Sequence, residues 1–234
     1  MIEVRPFSSL GRFDNDWLAA RYHFSFSNYF DPKRTQWGAL RVWNDDMIQP
    51  QTGFPPHSHA NMEIITYVRE GAITHEDGLG NRGRTEAGDV QVMSAGSGVS
   101  HAEFNLEDEP TRLFQIWILP KQAGGGAYWK TAKFPKDDRA GAFVALASGF
   151  TADQEAGALP IRQDARVLGA TLKAGGAARY ALEPGRSGYV VVAKGAATLN
   201  GQRLGERDGA AFRDEAALEL KAETDSELVL VDAP

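Results

Sequence analysis

Two short patterns of histidine and glutamate contain the residue types of a metal site. His57 and His59 are one residue apart, and His101 and Glu103 repeat that spacing later in the chain. Side chains so spaced on a β-strand point to the same face, so two neighbouring strands would direct three imidazoles and one carboxylate at a single point. Three nitrogens and one oxygen suit a divalent transition metal and leave room for a small ligand. The three histidines are therefore predicted metal ligands.

Two carboxylates compete for the fourth position. Glu63 follows His59 by four residues and shares its face if the strand is continuous, although it could instead form a salt bridge or orient a ligand imidazole. Glu103 lies two residues from His101 and needs no assumption about where another strand begins. The residues alone favour Glu103 but leave Glu63 open.

The other two histidines match neither pattern. His75 precedes a turn at Gly78 and is interpreted either as a partner of a ligand or as a surface residue. His23 lies in an aromatic segment and is interpreted as structural. All five histidines of the chain lie within its first 101 residues, so the predicted chemistry belongs to one half of the protein.

Aromatic side chains are concentrated just before the predicted site. Most of them are expected in the core, because a sandwich of this size needs large inward residues. A subset could line an apolar pocket above the metal and favour a flat aromatic ligand. The candidates are Tyr22, Phe24, Phe26, Tyr29, Phe30, Trp37, Trp43 and Phe54.

Composition excludes several classes of function. The chain has 234 residues, of which 42% are hydrophobic and 24% charged, with a net charge of −6. This acidic balance argues against direct nucleic-acid binding. The absence of cysteine excludes disulfides, thiolate zinc sites, iron–sulfur clusters and a cysteine nucleophile. Because neither a signal-peptide run nor a membrane-length apolar stretch is found, a cytoplasmic protein without a membrane partner is expected.

The elements that must position the histidines are predicted to be β-strands. Turn signals recur at short intervals, and an all-β sandwich or barrel is expected. Asn200-Gly201 predicts a hairpin, and short helical turns are expected at 14–20 and 153–156. The runs rich in β-branched and aromatic residues are Glu63 to Val68, Val90 to Met93, Leu113 to Leu119 and Tyr189 to Ala193.

The two halves of the chain look related. The segment 70–74 resembles the segment 194–198, and aligning Gly71 with Gly195 places Ala181, Glu183 and Ser187 opposite His57, His59 and Glu63. The second copy would then lack the metal ligands. The boundary is expected within 121–141, where three consecutive glycines interrupt the strand pattern. We therefore predict one domain over 1–130 with the metal site and a second over 131–234 without it.

Longer motifs resemble the cupin superfamily and, within it, the pirin family. Residues 53–71 resemble the first cupin motif and residues 88–105 the second. The narrower resemblance to pirins, closest to the bacterial ones with quercetinase activity, lies in residues 23–32, 41–46, 75–77, 93–103, 163–166 and 199–201. One departure is Ser58, which stands where pirins usually have proline. The other is two extra residues between Gly96 and His101 relative to the general cupin pattern.

The resemblance implies a bicupin, with two antiparallel β-sandwich barrels face to face and the metal in the N-terminal one. It implies His57, His59, His101 and Glu103 as the four ligands, with Glu63 a retained residue near the site. It also implies a flavonol dioxygenase that cleaves quercetin-like substrates with O2 and releases carbon monoxide. Glu103 would also accept the proton of the substrate 3-hydroxyl, and no organic cofactor is required.

Alternatives of other classes stay open at this stage. The resemblance equally allows a metal-binding regulatory pirin that binds a transcription or metabolic protein, and a cupin acting on an unrelated small molecule is also possible. An open metal position facing an apolar pocket would favour the enzyme, with a small aromatic substrate and O2 as its partners. The ligand set does not choose among Fe, Mn, Co, Ni, Cu and Zn. A monomer is expected, because the two barrels would cover each other.

Overall fold

The computed structural model describes residues 1–215 and 217–234, and β-strands dominate these residues. The first half of the chain contains β1 (Ile2–Arg5), β2 (Gly11–Asp14), β3 (Leu18–Tyr22), β4 (Leu40–Ile48), β5 (Thr52–His59), β6 (Glu63–Glu70), β7 (Ala72–Asp77), β8 (Arg82–Glu86), β9 (Val90–Ser94), β10 (Val99–Asn105), β11 (Thr111–Ile118) and β12 (Tyr128–Ala132).

The second half contains further strands and one short α-helix, α1 (Thr151–Glu155). Its strands are β13 (Val144–Ser148), β14 (Leu159–Pro160), β15 (Arg166–Leu172), β16 (Ala177–Tyr180), β17 (Ser187–Lys194), β18 (Ala197–Leu199), β19 (Gln202–Leu204), β20 (Gly209–Arg213), β21 (Leu218–Ala222) and β22 (Ser226–Ala233). Short 3-10 helices lie at Phe7–Ser9 and Lys136–Arg139. Among the described residues, none of the helices has the length and apolar character needed to cross a membrane.

The strands form two sandwiches with the same central strand order, although the outer pair β13–β14 is parallel and its counterpart β2–β3 is antiparallel. In the first, a seven-stranded sheet of order β12-β9-β6-β11-β4-β3-β2 faces a four-stranded sheet of order β5-β10-β7-β8. In the second, the orders are β1-β20-β17-β22-β15-β13-β14 and β16-β21-β18-β19. Strand by strand, β9, β6, β11 and β4 correspond to β20, β17, β22 and β15. The predicted all-β bicupin fold is therefore confirmed, and the repeat extends through both sheets.

The two seven-stranded sheets pack against each other. One hydrophobic core joins Trp43, Ile65 and Phe114 of the first sandwich to Tyr189 and Val229 of the second. The central strands of these two sheets are therefore buried on both faces. This explains why predicted strands such as 189–193 are continuous apolar runs rather than alternating ones. The β17 residues Tyr189 and Val191 face the other sandwich, whereas Val190 and Val192 fill their own barrel.

One strand is placed far from its sequence neighbours. β1, at the start of the chain, pairs antiparallel with β20 at the edge of the second sandwich. β12 takes the matching position in the first sandwich by pairing with β9. The division into 1–130 and 131–234 stays a prediction, and in the observed topology residue 130 lies inside β12.

The helix predicted at 14–20 is wrong. These residues form the turn between β2 and β3, where Asn15 Oδ1 accepts hydrogen bonds from the backbone N–H groups of Trp17 and Leu18. Leu18, Ala20 and Tyr22 then alternate toward the interior of the barrel. By contrast, helix α1 overlaps the predicted 153–156, and Asn200-Gly201 forms the predicted hairpin with positive φ at both residues.

Candidate metal centre

The two histidine patterns lie on adjacent strands of the four-stranded sheet. β5 and β10 are antiparallel, and their register places His101 directly opposite His57 and Val99 opposite His59. The three imidazoles pack around one point, with ring-centroid distances of 4.8 Å for His57–His59, 4.5 Å for His57–His101 and 5.0 Å for His59–His101. Ligand atoms of all three lie within 4.8 Å of one another. The predicted convergence of the histidines is therefore observed.

The tautomers of two of these rings follow from their outer partners. His57 Nδ1 donates to the backbone carbonyl of Pro55 at 2.8 Å, because a carbonyl can only accept. His75 Nε2 lies 3.1 Å from Asp77 Oδ2 and donates to it, so His75 Nδ1 accepts from His101 Nδ1 at 3.3 Å. In neutral rings, the Nε2 atoms of His57 and His101 then both carry lone pairs.

These two Nε2 atoms are only 3.1 Å apart. Two lone pairs cannot form a hydrogen bond with each other, whereas a cation bound by both nitrogens would turn their repulsion into coordination. Imidazole nitrogens are common ligands of divalent transition metals. The donor set and its tautomers thus fit such an ion.

The environment favours the neutral form of His59, His75 and His101. Burial and the nearby ring of His57 lower the pKa of His59 to about 4. Burial and the surrounding imidazoles lower the pKa of His101 to about 3. Burial also lowers the pKa of His75, although its hydrogen bond to Asp77 opposes the shift. Neutral rings leave nitrogen lone pairs free for a cation.

His75 is one of the positioning residues rather than a surface residue. It is fully buried, and its ring stacks on Trp129 with an interplanar angle of 6° and a centroid distance of 4.9 Å. Trp129 and Asp77 therefore fix the ring that in turn orients His101. Of the two interpretations left open by its sequence position, the structure supports the partner of a ligand.

Glu103 lies beside His101 at the base of the same cavity. A β-bulge falls between these two residues, and ligand atoms of Glu103, His101 and His75 lie within 4.8 Å of one another. This second cluster overlaps the three-histidine cluster at His101. That Glu103 completes the ligand set with His57 and His59 stays a prediction.

Two amides hold the Glu103 carboxylate. Gln91 Nε2 donates to Oε1 at 2.6 Å, and Gln115 Nε2 donates to Oε2 at 2.5 Å. Burial raises the pKa of Glu103 to about 7, although these hydrogen bonds favour the ionised form. The group can therefore take up or release a proton near neutral pH.

Glu63, the competing carboxylate, points elsewhere. The chain turns between β5 and β6 at Asn61, which has a φ of 52°, so His59 and Glu63 do not share one continuous strand. Glu63 Oε1 accepts a hydrogen bond from Ser94 Oγ at 2.7 Å, and Oε2 accepts one from the backbone N–H of Arg162 at 3.1 Å. Glu63 thus links the two sandwiches.

A cavity of about 300 Å³ opens above the three histidines. Most of its wall is apolar, and its aromatic side chains are Tyr22, Phe26, Phe54 and Trp117. The predicted aromatic subset above the site is therefore present in part. Phe24 and Trp43 lie instead in the core between the sandwiches. His23 is fully buried there, with Nδ1 at 2.7 Å from Tyr189 Oη, as its structural interpretation requires.

The sequence reasoning missed the residues that support the ligands. Gln91 and Gln115 each stand alone within an apolar strand, between Val90 and Val92 and between Phe114 and Ile116. A lone amide in a buried strand needs a buried partner, and that pattern was the available signal. Nothing in the local sequence marks Trp117 or Trp129.

Comparison with known proteins places this geometry in a family. The family model described as pirin matches residues 3–118, and the model described as the quercetinase C-terminal cupin domain matches residues 146–233. A pirin-like protein of Caulobacter vibrioides is 64% identical over 100% of both chains. The chain belongs to the pirin family. Its membership explains the repeated sandwich and confirms the family resemblance seen in the sequence.

Two further comparisons within this family concern Escherichia coli. The K12 protein named quercetin 2,3-dioxygenase is 37% identical, and the match covers 100% of this chain and 99% of the relative. The crystal structure of the bacterial pirin YhhW in complex with nickel(II) matches with a TM-score of 0.93 at 36% identity and covers 100% and 99% of the two chains. A pirin of nearly the same fold thus binds a divalent metal.

Proposed function

We propose that this pirin is a metal-dependent dioxygenase that cleaves flavonols such as quercetin with O2 and releases carbon monoxide. The observation that carries the proposal is the convergence of three imidazoles on the wall of an apolar, aromatic-lined cavity. The name quercetin 2,3-dioxygenase on an E. coli relative supports the substrate class. The nickel(II) complex of the E. coli pirin YhhW supports a divalent metal.

In this proposal His57, His59, His101 and Glu103 hold the metal. When bound, the ion supplies a Lewis acid and a template that holds the reactants in place. Glu103 accepts the proton of the substrate 3-hydroxyl as a carboxylate. Gln91 and Gln115 keep its carboxylate in position.

The cavity walls supply binding and exclude water. Phe54 and Trp117 flank the histidines, with Trp117 packed edge-on against the His59 ring at 4.9 Å. A flat aromatic ring system buries its faces against such walls. The electrons for oxygen incorporation come from the substrate, so the reaction needs no organic cofactor.

Aerobic quercetin turnover tests the proposal. Protein stripped of metal is reconstituted separately with Fe(II), Mn(II), Co(II), Ni(II), Cu(II) and Zn(II), and quercetin loss and carbon monoxide are measured together. We expect carbon monoxide to form in step with quercetin loss, with at least one metal, and His101→Ala to abolish both. Ser58→Ala is the matched control, because Ser58 lies between the two histidines of β5 but is exposed on the opposite face.

Tight metal binding without quercetin turnover would contradict the dioxygenase. That result would instead favour a regulatory pirin whose metal site controls the binding of a protein partner.

A further inference from the structure

β4 presents two polar side chains to the cavity that the metal centre does not use. Asn44 and Asp46 line the cavity, whereas Asp45 between them points to the opposite face of the sheet. This alternation is the normal consequence of the two-residue period of a strand. Both residues are almost fully buried, with exposed fractions of 4% for Asn44 and 2% for Asp46.

The hydrogen bonding of these two side chains is incomplete. Asn44 Oδ1 and Asp46 Oδ1 are buried and have no hydrogen-bond partner among the described residues. By contrast, both carboxylate oxygens of Asp45 have partners, because Arg69 donates to Oδ1 and Arg207 to Oδ2. Buried polar groups are normally satisfied, so each exception calls for an explanation.

The side-chain amide of Gln115, next to Asn44 in the cavity wall, already has hydrogen-bond partners. Gln115, which lies opposite Asn44 in the β4–β11 register, donates to Glu103 and accepts from Trp117 Nε1 at 3.3 Å. It makes no hydrogen bond to Asn44 Oδ1 or Asp46 Oδ1. On the adjacent strand β3, Leu18 and Ala20 are apolar, and Tyr22 lies opposite Asn44. The Tyr22 hydroxyl forms no hydrogen bond to Asn44 Oδ1 or Asp46 Oδ1.

We propose that Asp46 and Asn44 form a substrate subsite that binds a ring hydroxyl of a polyhydroxylated aromatic substrate, apart from the hydroxyl held at the metal centre. The inference rests on the proposed function and narrows its substrate class to flavonols that carry further ring hydroxyls. A phenolic hydroxyl can donate to one of these oxygens. A site built to hydrogen-bond a hydroxyl discriminates strongly against an analogue that lacks it, because its polar groups are then left unpaired.

The test compares quercetin with 3-hydroxyflavone, which keeps the 3-hydroxyl but lacks the other ring hydroxyls. With the reconstituted protein, kcat/KM is measured for both in the wild type, Asp46→Ala and Asp46→Asn. We expect Asp46→Ala to lower the ratio of the two kcat/KM values, quercetin over 3-hydroxyflavone, by roughly 10- to 100-fold. Asp46→Asn, which keeps a hydrogen-bonding side chain, should restore part of that ratio.

Thermal unfolding separates this role from a structural one. Because Asp46 is buried without a satisfied Oδ1, its removal should raise the Tm of the substrate-free protein, by about 2 °C or more. A fall in Tm with an unchanged ratio would show that Asp46 supports the fold and would overturn the subsite.

Should Asp46→Ala fail to fold, Asn44→Ala is expected to lower the same ratio of kcat/KM values, and an unchanged ratio there overturns the proposal. Asp16→Asn, an exposed change of equal charge in the β2–β3 turn, is the matched control.

Binding measurements distinguish failure of the subsite from failure of the dioxygenase. If the wild type turns over neither flavonol, the proposed function fails, and dissociation constants are read from quenching of Trp fluorescence on the loaded protein. A selective weakening of quercetin binding in Asp46→Ala then still supports the subsite. Equal dissociation constants for both flavonols in the wild type overturn it.

Discussion

At the scale of residues, the site depends on which nitrogen of each imidazole is free. The Pro55 carbonyl accepts a hydrogen bond from His57 Nδ1, and His75 Nδ1 accepts one from His101 Nδ1. The Nε2 atoms of His57 and His101 then face each other with free lone pairs. Sequence spacing predicts that three imidazoles converge, because a strand has a fixed period. It does not predict their tautomers, which depend on partners brought in by other strands.

Removal of one imidazole should abolish metal binding without unfolding the protein. In His59→Ala, the ion loses one of three nitrogen ligands, while the core between the sandwiches does not involve His59. We expect metal content to fall to background after dialysis, with an unchanged circular dichroism spectrum. A variant that no longer folds would show that the metal is structural.

The two candidate carboxylates give opposite predictions. Glu63→Gln should retain metal, because Glu63 bonds to Ser94 and Arg162 outside the histidine cluster. Glu103→Gln should lose most of it if Glu103 is a ligand. The metal content per chain of the two purified variants shows which carboxylate is the fourth ligand. Loss of metal in Glu63→Gln would assign that position to Glu63 instead of Glu103.

Metal affinity should depend on pH through Glu103. Because burial raises its pKa to about 7, the carboxyl is protonated at lower pH, and metal binding must release that proton. His59 and His101, with pKa values of about 4 and 3, stay neutral over this range. We expect the Ni(II) dissociation constant to be level above pH 8 and to rise about tenfold per pH unit below pH 7.

Titration calorimetry between pH 6 and pH 8.5 measures this dependence. A dissociation constant that does not change over that range would contradict the role of Glu103, and Glu103→Gln should have a shallower slope than the wild type.

At the scale of elements, β7 positions β10. Its register places His75 opposite Glu103 and Asp77 opposite His101, so the supporting residues come from the strand next to the ligands.

The sequence predicts most strands, because buried β-branched runs bounded by turns have few alternatives. It fails at 14–20, where the side chain of Asn15 stabilises a turn and the alternation of Leu18, Ala20 and Tyr22 is too short to outweigh a helical reading.

Asp77→Asn tests the hydrogen bonds that connect Asp77 through His75 to His101. The new amide would donate toward His75 Nε2, which reverses the tautomers of His75 and His101 and places a proton on His101 Nε2. We expect metal affinity to fall by about 10- to 100-fold, measured by competition with a chromophoric chelator. Glu76→Gln is the control, since Glu76 is exposed on the other face of β7. Equal affinities of the two variants would contradict the argument.

At the scale of the whole molecule, the two sandwiches share their central strand order but have different interiors. The interior of the second is filled by apolar side chains such as Leu168, Val190 and Leu220. In the first, the corresponding space holds the histidines and the cavity. The alignment of the two halves predicts that the second copy lacks ligands, but it does not predict that large side chains fill its interior, because packing depends on all the strands together.

The interface between the sandwiches should make them unfold together. Arg69 of the first binds the buried Asp45, which also binds Arg207 of the second. Arg69→Met would leave part of the Asp45 charge uncompensated, at a cost of about 3–5 kcal/mol. Urea unfolding followed by both circular dichroism and Trp fluorescence should show one shared transition shifted to lower urea. Two separate transitions in the wild type would contradict a cooperative interface.

The pairing of β1 with β20 bears on how the chain is made. A ribosome releases β1 well before its partner strand β20, which lies far later in the chain. Until then, β1 offers an unpaired edge to any other strand. The sandwich with the histidines can close earlier, so the half without them is the last to be completed. Errors in nascent-chain folding should therefore concentrate in the half that has no metal ligands.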